Sequence, residues 1–394
     1  MNFDKSYFDA GVNRIGTNCV KWDDMIAETG DKDMVPMWVA DMDFPSPPAI
    51  KEALAKVLNQ DTWGYTHSGE EDTKALCGYW KRRHHAELDS DAIVMIPGVV
   101  TGLKLAVRTL TKPGDGVMIN TPVYGQFFAA IRDNERKIVE SPLLCDEETG
   151  RYTLNMADME GKLASGEAKA LMFCSPHNPS GRAWTVEELT AVVALCRKYD
   201  VPLICDEIHA DFVYAPHEHH CIMTIEGAKE RTVMLCAPSK TFNLAGLQQS
   251  TLVCPNQQIR QKIEQDILAC GVRSGNVFAL AAARAAYTQC DEWLDGLKAY
   301  IRENQNFVTR YIQENIPGVR VTPMEATYVV WLDCRGLNMA QQDIMDALCR
   351  EHVKLNDGLV FGECGRGCLR MNVACPRAQV EKALECMKKA LTAH

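Results

Sequence analysis

The 394-residue sequence predicts an α/β fold. Its large domain has a mostly parallel sheet covered by helices on both faces, and a smaller C-terminal α/β domain follows. Three observations lead there. Short, wholly apolar segments recur without the apolar–polar alternation of a half-exposed strand, which marks strands buried on both faces. Segments with apolar residues at helical spacing lie between them, the order of a sheet wrapped by crossover helices. After about residue 291 the order changes to one long charged helix and then a shorter strand–helix series. A chain of this length also exceeds one ordinary core, so two domains are expected. The division reads as an N-terminal arm over 1–48 packing on both domains, a large domain over 49–290 and a small domain over 291–394.

The elements follow in order. Residues 1–48 are aromatic-rich and lack a clear period. A short apolar strand is expected at 93–96, then a turn at Gly98 and a helix over 102–110. Strands follow at 117–119, closed by Thr121 and Pro122, at 137–140 and at 171–174. The clearest helix spans 185–199. Thr185 and Glu188 form a capping box there, which satisfies two otherwise free amides. Val186, Leu189, Val193 and Cys196 fall on one of its faces. Apolar strands are expected at 202–205 and 233–236. The C-terminal part reads as a helix over 293–315, strands at 319–322 and 328–332, a helix over 339–352, a strand at 368–373 and a last helix over 377–391.

Composition narrows the function. A net charge of −10 without a compensating basic face argues against nucleic acid and anionic membrane surfaces as partners. The N-terminus has no signal-peptide pattern, and no apolar run is long enough to span a bilayer, so a cytoplasmic protein is expected. The 17 cysteines form no C-x-x-C pair. Cys174, Cys196, Cys205 and Cys236 sit in apolar patterns, where cysteine acts as a small hydrophobe, and free thiols suit a reducing compartment.

In open α/β sheets, ligands bind beyond the carboxyl ends of the strands. Here those ends carry, in order, Gly98-Val99-Val100 opening a helix, Tyr124 after Thr121-Pro122, Asn178 between two prolines, Asp206 with His209, and Ser239 with Lys240. Singly, each has a structural reading: a turn, a loop, a helix cap, a solvated tip. Together they describe a site for a cofactor with a phosphate, an aromatic ring and an aldehyde. Free amides at a helix start bind phosphate. Tyr124 offers a ring for stacking. A carboxylate on a buried strand is costly unless it meets a cation, and a protonated pyridine nitrogen would supply one. Asn178 and His209 are donors for a ring hydroxyl. A lysine in a dry pocket has a lowered pKa and forms a Schiff base with an aldehyde.

The motifs Ser175-Pro-His-Asn-Pro-Ser-Gly181, Asp206-Glu207 and Ser239-Lys-Thr-Phe-Asn-Leu-Ala-Gly246 resemble the pyridoxal-phosphate enzymes of the aspartate-aminotransferase fold, over nearly the whole chain. The resemblance implies pyridoxal 5′-phosphate as cofactor, with Lys240 as the lysine that carries it and Asp206 as partner of the ring nitrogen. It places Asn178 and His209 beside the ring oxygen and Tyr124 over the ring face. The amides of Val99 and Val100 and the hydroxyl of Ser239 would hold the phosphate. Arg370 matches the arginine that grips a substrate α-carboxylate bidentately. Tyr65 matches a tyrosine reaching across a dimer interface, which implies a homodimer with shared sites. Two positions depart from the common pattern: Gln248 stands where a phosphate-clamping arginine is frequent, and Ala237 where a serine is. With Asn243 and Leu247, the run Met37-Trp-Val-Ala-Asp-Met-Asp-Phe-Pro45 is similar to the MalY/PatB branch, the bacterial cystathionine β-lyase-type C–S lyases. That branch implies elimination of a thiol from cystathionine or cysteine S-conjugates, leaving pyruvate and ammonia, with Trp38 lining the substrate pocket. Tyr65 and Tyr124 are then candidate helpers in leaving-group chemistry.

Two alternatives stay open from sequence. The same residues serve an aminotransferase, and a cofactor-binding protein of this branch could instead act on a protein partner. Other clusters read as structural. His217-Glu218-His219-His220 lacks H-E-x-x-H spacing and reads as a solvated loop. His84-His85 sits at a helix end, where cations suit the dipole. Arg366 reads as part of a surface turn.

Overall fold

The computed structural model describes residues 3–272 and 275–392. Seven strands form the large sheet: β1 (Ile93–Ile96), β2 (Gly116–Ile119), β3 (Lys137–Glu140), β4 (Ala168–Cys174), β5 (Leu203–Asp206), β6 (Thr232–Cys236) and β7 (Ser250–Val253). Their order is β1-β7-β6-β5-β4-β2-β3, and only β7 runs antiparallel to its neighbours. The expected strands lie within a residue or so of these bounds, apart from a longer β4. β7 went unread because it opens on Ser250 and Thr251 and shows neither a clean apolar run nor alternation.

The apolar strands are buried because side chains alternate between two cores. Leu203 and Cys205 enter one cluster with Phe173 and Met234; Ile204 enters the other with Met172, Val233 and Leu235. That is the two-sided burial expected of a sheet with helices on both faces. The Val99–Leu110 helix lies so close to the sheet that a Cβ at Gly102 would sit 2.4 Å from Ile96 and Leu235 side-chain carbons. The Val186–Lys198 helix has its Thr185–Glu188 capping box, and Leu189, Val193 and Cys196 are buried. Val186, read as part of that face, is the first residue of the helix and is 42% exposed.

In the C-terminal part, the Asp291–Asn315 helix leads into a sheet of β8 (Arg320–Val321), β9 (Val329–Asp333), β10 (Asn356–Asp357) and β11 (Cys368–Asn372), in the order β8-β9-β11-β10. The Gln341–Arg350 and Arg377–Thr392 helices pack beside it. Pro48–Leu58 and Gly125–Arg132, among other helices of the first half, were not read from sequence, and of Glu70–His84 only the C-terminal end was. The run before Pro45 passes between the sheets. Met37 donates to Lys354 and accepts from Asn372, and the Asn372 side chain donates to the carbonyls of Val39 and Asp41. Among the described residues no helix is long and apolar enough to cross a membrane.

Candidate active site

A cavity of about 660 Å³ opens at the carboxyl ends of the strands of the large sheet. Val99, Val100, Tyr124, Asn178, Asp206, His209, Ser239, Lys240, Arg370 and Trp38 all line it. Each arrives for a local reason. After β1, Gly98 takes φ +90°, a conformation side-chain-bearing residues avoid, and turns the chain into the Val99–Leu110 helix. No side chain caps that helix, so its first amides face the cavity.

Asp206 ends β5, 3% exposed. One oxygen accepts from the Ile208 amide at 3.0 Å, and no Lys, Arg or His among the described residues forms an ion pair with it. Burial therefore pushes its carboxyl up to about 7. Lys240 sits in the one-turn Pro238–Thr241 helix after β6, its Nζ donating to the Ala40 carbonyl at 2.5 Å. Burial, and then the Arg370 cation, bring its ammonium down to about 8. His209 is buried; its Nδ1 has no partner, and desolvation lowers it to about 3, so the ring is neutral. Burial raises Tyr124, which stays a phenol at neutral pH.

Arg370 on β11 donates to Asn178 Oδ1 at 3.2 Å, the Trp38 carbonyl at 2.9 Å and Asn356 Oδ1 at 2.6 Å. Its Nε is buried without a partner. Its guanidinium lies 4.8 Å from the Phe361 ring centre. Trp38 lines the cavity while its indole N–H donates to the Lys21 carbonyl at 3.1 Å, so it packs and faces the site at once.

Residues 32–387 match the family described as aminotransferase class I and II. The chain is 36% identical over 394 residues to cystathionine beta-lyase PatB of Bacillus subtilis, covering all of both proteins. The chain belongs to this family. Its likeness to protein MalY of Escherichia coli is 32% over 389 residues, 98% of this chain and 99% of that protein. The crystal structure of cystalysin from Treponema denticola, which contains a pyridoxal 5′-phosphate cofactor, superposes with a TM-score of 0.95 at 36% identity, covering 98% of each chain.

Within the family frame, one expected residue stays apart. Tyr65 is fully exposed and lines a different cavity with Trp63, His67, Leu268 and Asn276. Gln248, at the arginine position, lines the main cavity as a neutral side chain. Sequence reasoning missed Asn356, Thr101, Ala40 and Ile208 in the cavity wall. Asn356 faces Arg370 directly across the β10–β11 pair, a two-residue strand too short to read. Ala40 contributes its backbone, which no side-chain pattern encodes. Thr101, a hydroxyl in the first turn of an uncapped helix, was readable. Two clusters also differ from expectation. The His217–His220 loop is not wholly solvated: the His219 side chain is buried with Nε2 3.0 Å from Glu207 Oε2, because the loop folds back over β5. His84 is buried, 3.0 Å from Asp211, and its desolvation lowers it, so it does not act as an exposed helix-end cation. Among the described residues no group of three or more His, Cys, Asp or Glu could hold a metal ion. Arg366 pairs with Glu363 on the surface.

Proposed function

We propose that this protein is a pyridoxal-phosphate-dependent carbon–sulfur β-lyase that splits cystathionine or cysteine S-conjugates. The observation that carries it is the convergence of Lys240, Asp206 and Arg370 on one cavity in a full-length relative of PatB. The residues fit the cofactor. Asp206 is a buried carboxylate with no ion-pair partner among the described residues, the place for a protonated ring nitrogen. The free amides of Val99 and Val100, with Ser239, suit a phosphate that is not clamped by an arginine at 248. Asn178 and the unpartnered His209 Nδ1 are available to a ring oxygen. Tyr124 is available to the ring face.

When bound, pyridoxal phosphate supplies an aldehyde that holds the substrate nitrogen and a ring that takes up electrons from Cα. Arg370 grips the substrate carboxylate, with Asn356, Asn178 and the Trp38 carbonyl fixing its plane. Lys240 Nζ, with its lowered pKa, is the base that takes the Cα proton. Asp206 holds the ring proton in place. Tyr124 keeps its phenolic proton and is a donor within the cavity, not a base. Overall, an S-substituted cysteine and one water give a thiol, pyruvate and ammonium. The experiment is incubation with cystathionine, assaying thiol, pyruvate and ammonia together. All three should form without an added keto acid. A strict keto-acid requirement with no pyruvate would make the protein an aminotransferase instead.

The functional unit is a homodimer in which Tyr65 completes the partner's site. Tyr65 is fully exposed, with Trp63 at 53% and Leu268 at 77% around the same cavity, an apolar surface of the kind that associates. Sedimentation should give a dimer, and Tyr65→Phe should lower kcat about 10-fold or more without changing the assembly. A fully active monomer would overturn the shared site.

A further inference from the structure

Behind the cavity lies a buried carboxylate that the proposed mechanism does not use. Asp211 is five residues beyond Asp206, in the turn that leaves β5. That turn is closed by backbone hydrogen bonds from Ala210 to Glu207 and from Phe212 to His209. Asp211 Oδ2 accepts from the Thr241 hydroxyl at 2.6 Å. Its Oδ1 accepts from the Tyr79 hydroxyl at 2.6 Å and lies 3.0 Å from His84 Nε2. Tyr79 and His84 both belong to the Glu70–His84 helix.

Thr241 directly follows Lys240. The two side chains leave the turn in different directions: Lys240 lines the cavity, while Thr241 is 1% exposed and points back to Asp211. A one-turn helix has little stiffness of its own, since a single turn gains few hydrogen bonds for the dihedrals it fixes. Its direction must come from anchors. In front, the Asn243 side chain donates to the Met42 carbonyl at 2.8 Å and accepts from the Met42 amide at 3.0 Å. Behind, the anchor is the Thr241–Asp211 bond. A hydrogen bond to a buried carboxylate is shorter and stronger than one between neutral groups, and so holds a geometry more tightly.

We propose that Asp211, acting through the Thr241 hydroxyl, is a positioning residue that aims Lys240 Nζ into the cavity. The proposal rests on the reading of Lys240 as the cofactor lysine. Because Asp206 ends β5 and Asp211 lies in the hydrogen-bonded turns that directly follow, the same short segment carries both the carboxylate facing the ring nitrogen and the anchor of the lysine. A path of covalent and hydrogen-bonded links thus runs from Asp206 through Asp211 and Thr241 to Lys240. Asp211 touches neither substrate nor cofactor in this arrangement.

The test compares Thr241→Val, Thr241→Ser and Tyr79→Phe with the unaltered protein. Two readouts serve: the rate at which cofactor-free protein takes up pyridoxal phosphate, followed by the absorbance of the lysine-bound aldehyde, and the kcat and KM of thiol release. Thr241→Val keeps the side-chain shape and loses the hydroxyl. Uptake and kcat should each fall about 10- to 100-fold, with KM changed by less than about 3-fold, the signature of a misaimed reactive group. Thr241→Ser restores the hydroxyl and should restore both rates. Tyr79→Phe removes a different donor from the same carboxylate and should leave both rates within about 3-fold of normal. Wild-type rates in Thr241→Val, or equal losses in Tyr79→Phe, overturn the proposal, the second because it marks a packing hub. If Thr241→Val gives no folded protein, Thr241→Ala carries the same expectation, and failure of both to fold makes the role structural and overturns it. Lys240→Ala separates this from the underlying reading. If that variant still develops the lysine-bound absorbance, Lys240 is not the cofactor lysine. If it does not while Thr241→Val behaves normally, only the positioning role fails.

Discussion

Asp206 carries its chemistry in its burial. A carboxyl raised to about 7 in the cofactor-free protein binds its proton more tightly folded than unfolded, where the ordinary value is 3.8. Its contribution to stability is therefore full below about pH 4 and is lost as pH rises towards 7, an effect of order a few kcal/mol. Denaturant titrations of cofactor-free protein at several pH values should show this component, and it should vanish in Asp206→Asn. Lys240 works in the opposite sense. In the proposed role its neutral form is the nucleophile, so cofactor uptake should rise with pH through about 8. Burial is the larger cause of that value and Arg370 the next, so Arg370→Gln should move the profile to higher pH. Stopped-flow uptake across pH 6–10 checks this, and an unshifted profile would remove Arg370 from the account. Both residues were legible in the sequence because a carboxylate and a lysine at the ends of apolar strands are costly unless used. The Ala40 carbonyl that accepts from Lys240 and the Asn356 side chain that accepts from Arg370 were not, since a carbonyl and a two-residue strand leave no pattern.

At the scale of elements, the site depends on strand ends and on the turns that leave them. Gly98 at φ +90° is the clearest case. A side chain there meets no neighbouring atom within 4 Å, so the penalty of Gly98→Ala is conformational and not steric. The variant should lose about 1 kcal/mol or more of stability. Its displaced amides should also weaken cofactor binding, as measured by spectral titration. Thr185→Ala is the contrast. It removes a cap far from the cavity and should cost about 1 kcal/mol while leaving kcat unchanged. Apolar runs and the capping box made these elements readable one at a time. β7 and all but the end of the Glu70–His84 helix were not: the strand begins polar, and the helix is so rich in charged residues that its apolar face does not stand out.

At the scale of the whole molecule, the two sheets are joined by buried charge. Glu325, just before β9, accepts from Arg182 at 2.8 Å and from Arg151 at 2.7 Å, and Arg182 also pairs with Glu188. Removing one member of a buried pair leaves its partner uncompensated, so Glu325→Ala should cost about 3–5 kcal/mol in unfolding measurements. Catalysis would suffer only through that loss. Of this network only Glu188 stood out in the sequence, and only as part of a helix cap, since an arginine and a glutamate 143 positions apart acquire meaning only when the chain folds.

By itself, the sequence determined the alternation of strands and helices, the two-sided burial of the sheet, and the polar groups at strand ends. These are local properties, written in periodicity and in the cost of placing charge beside apolar runs. Only the tertiary structure decided that Tyr65 stands outside the cavity of its own chain, that Asn356 and Ala40 join it, and that His84 and His219 are buried behind it. Those facts depend on which distant segments meet, and contact between distant segments follows from the packing of the whole chain, not from any stretch of it.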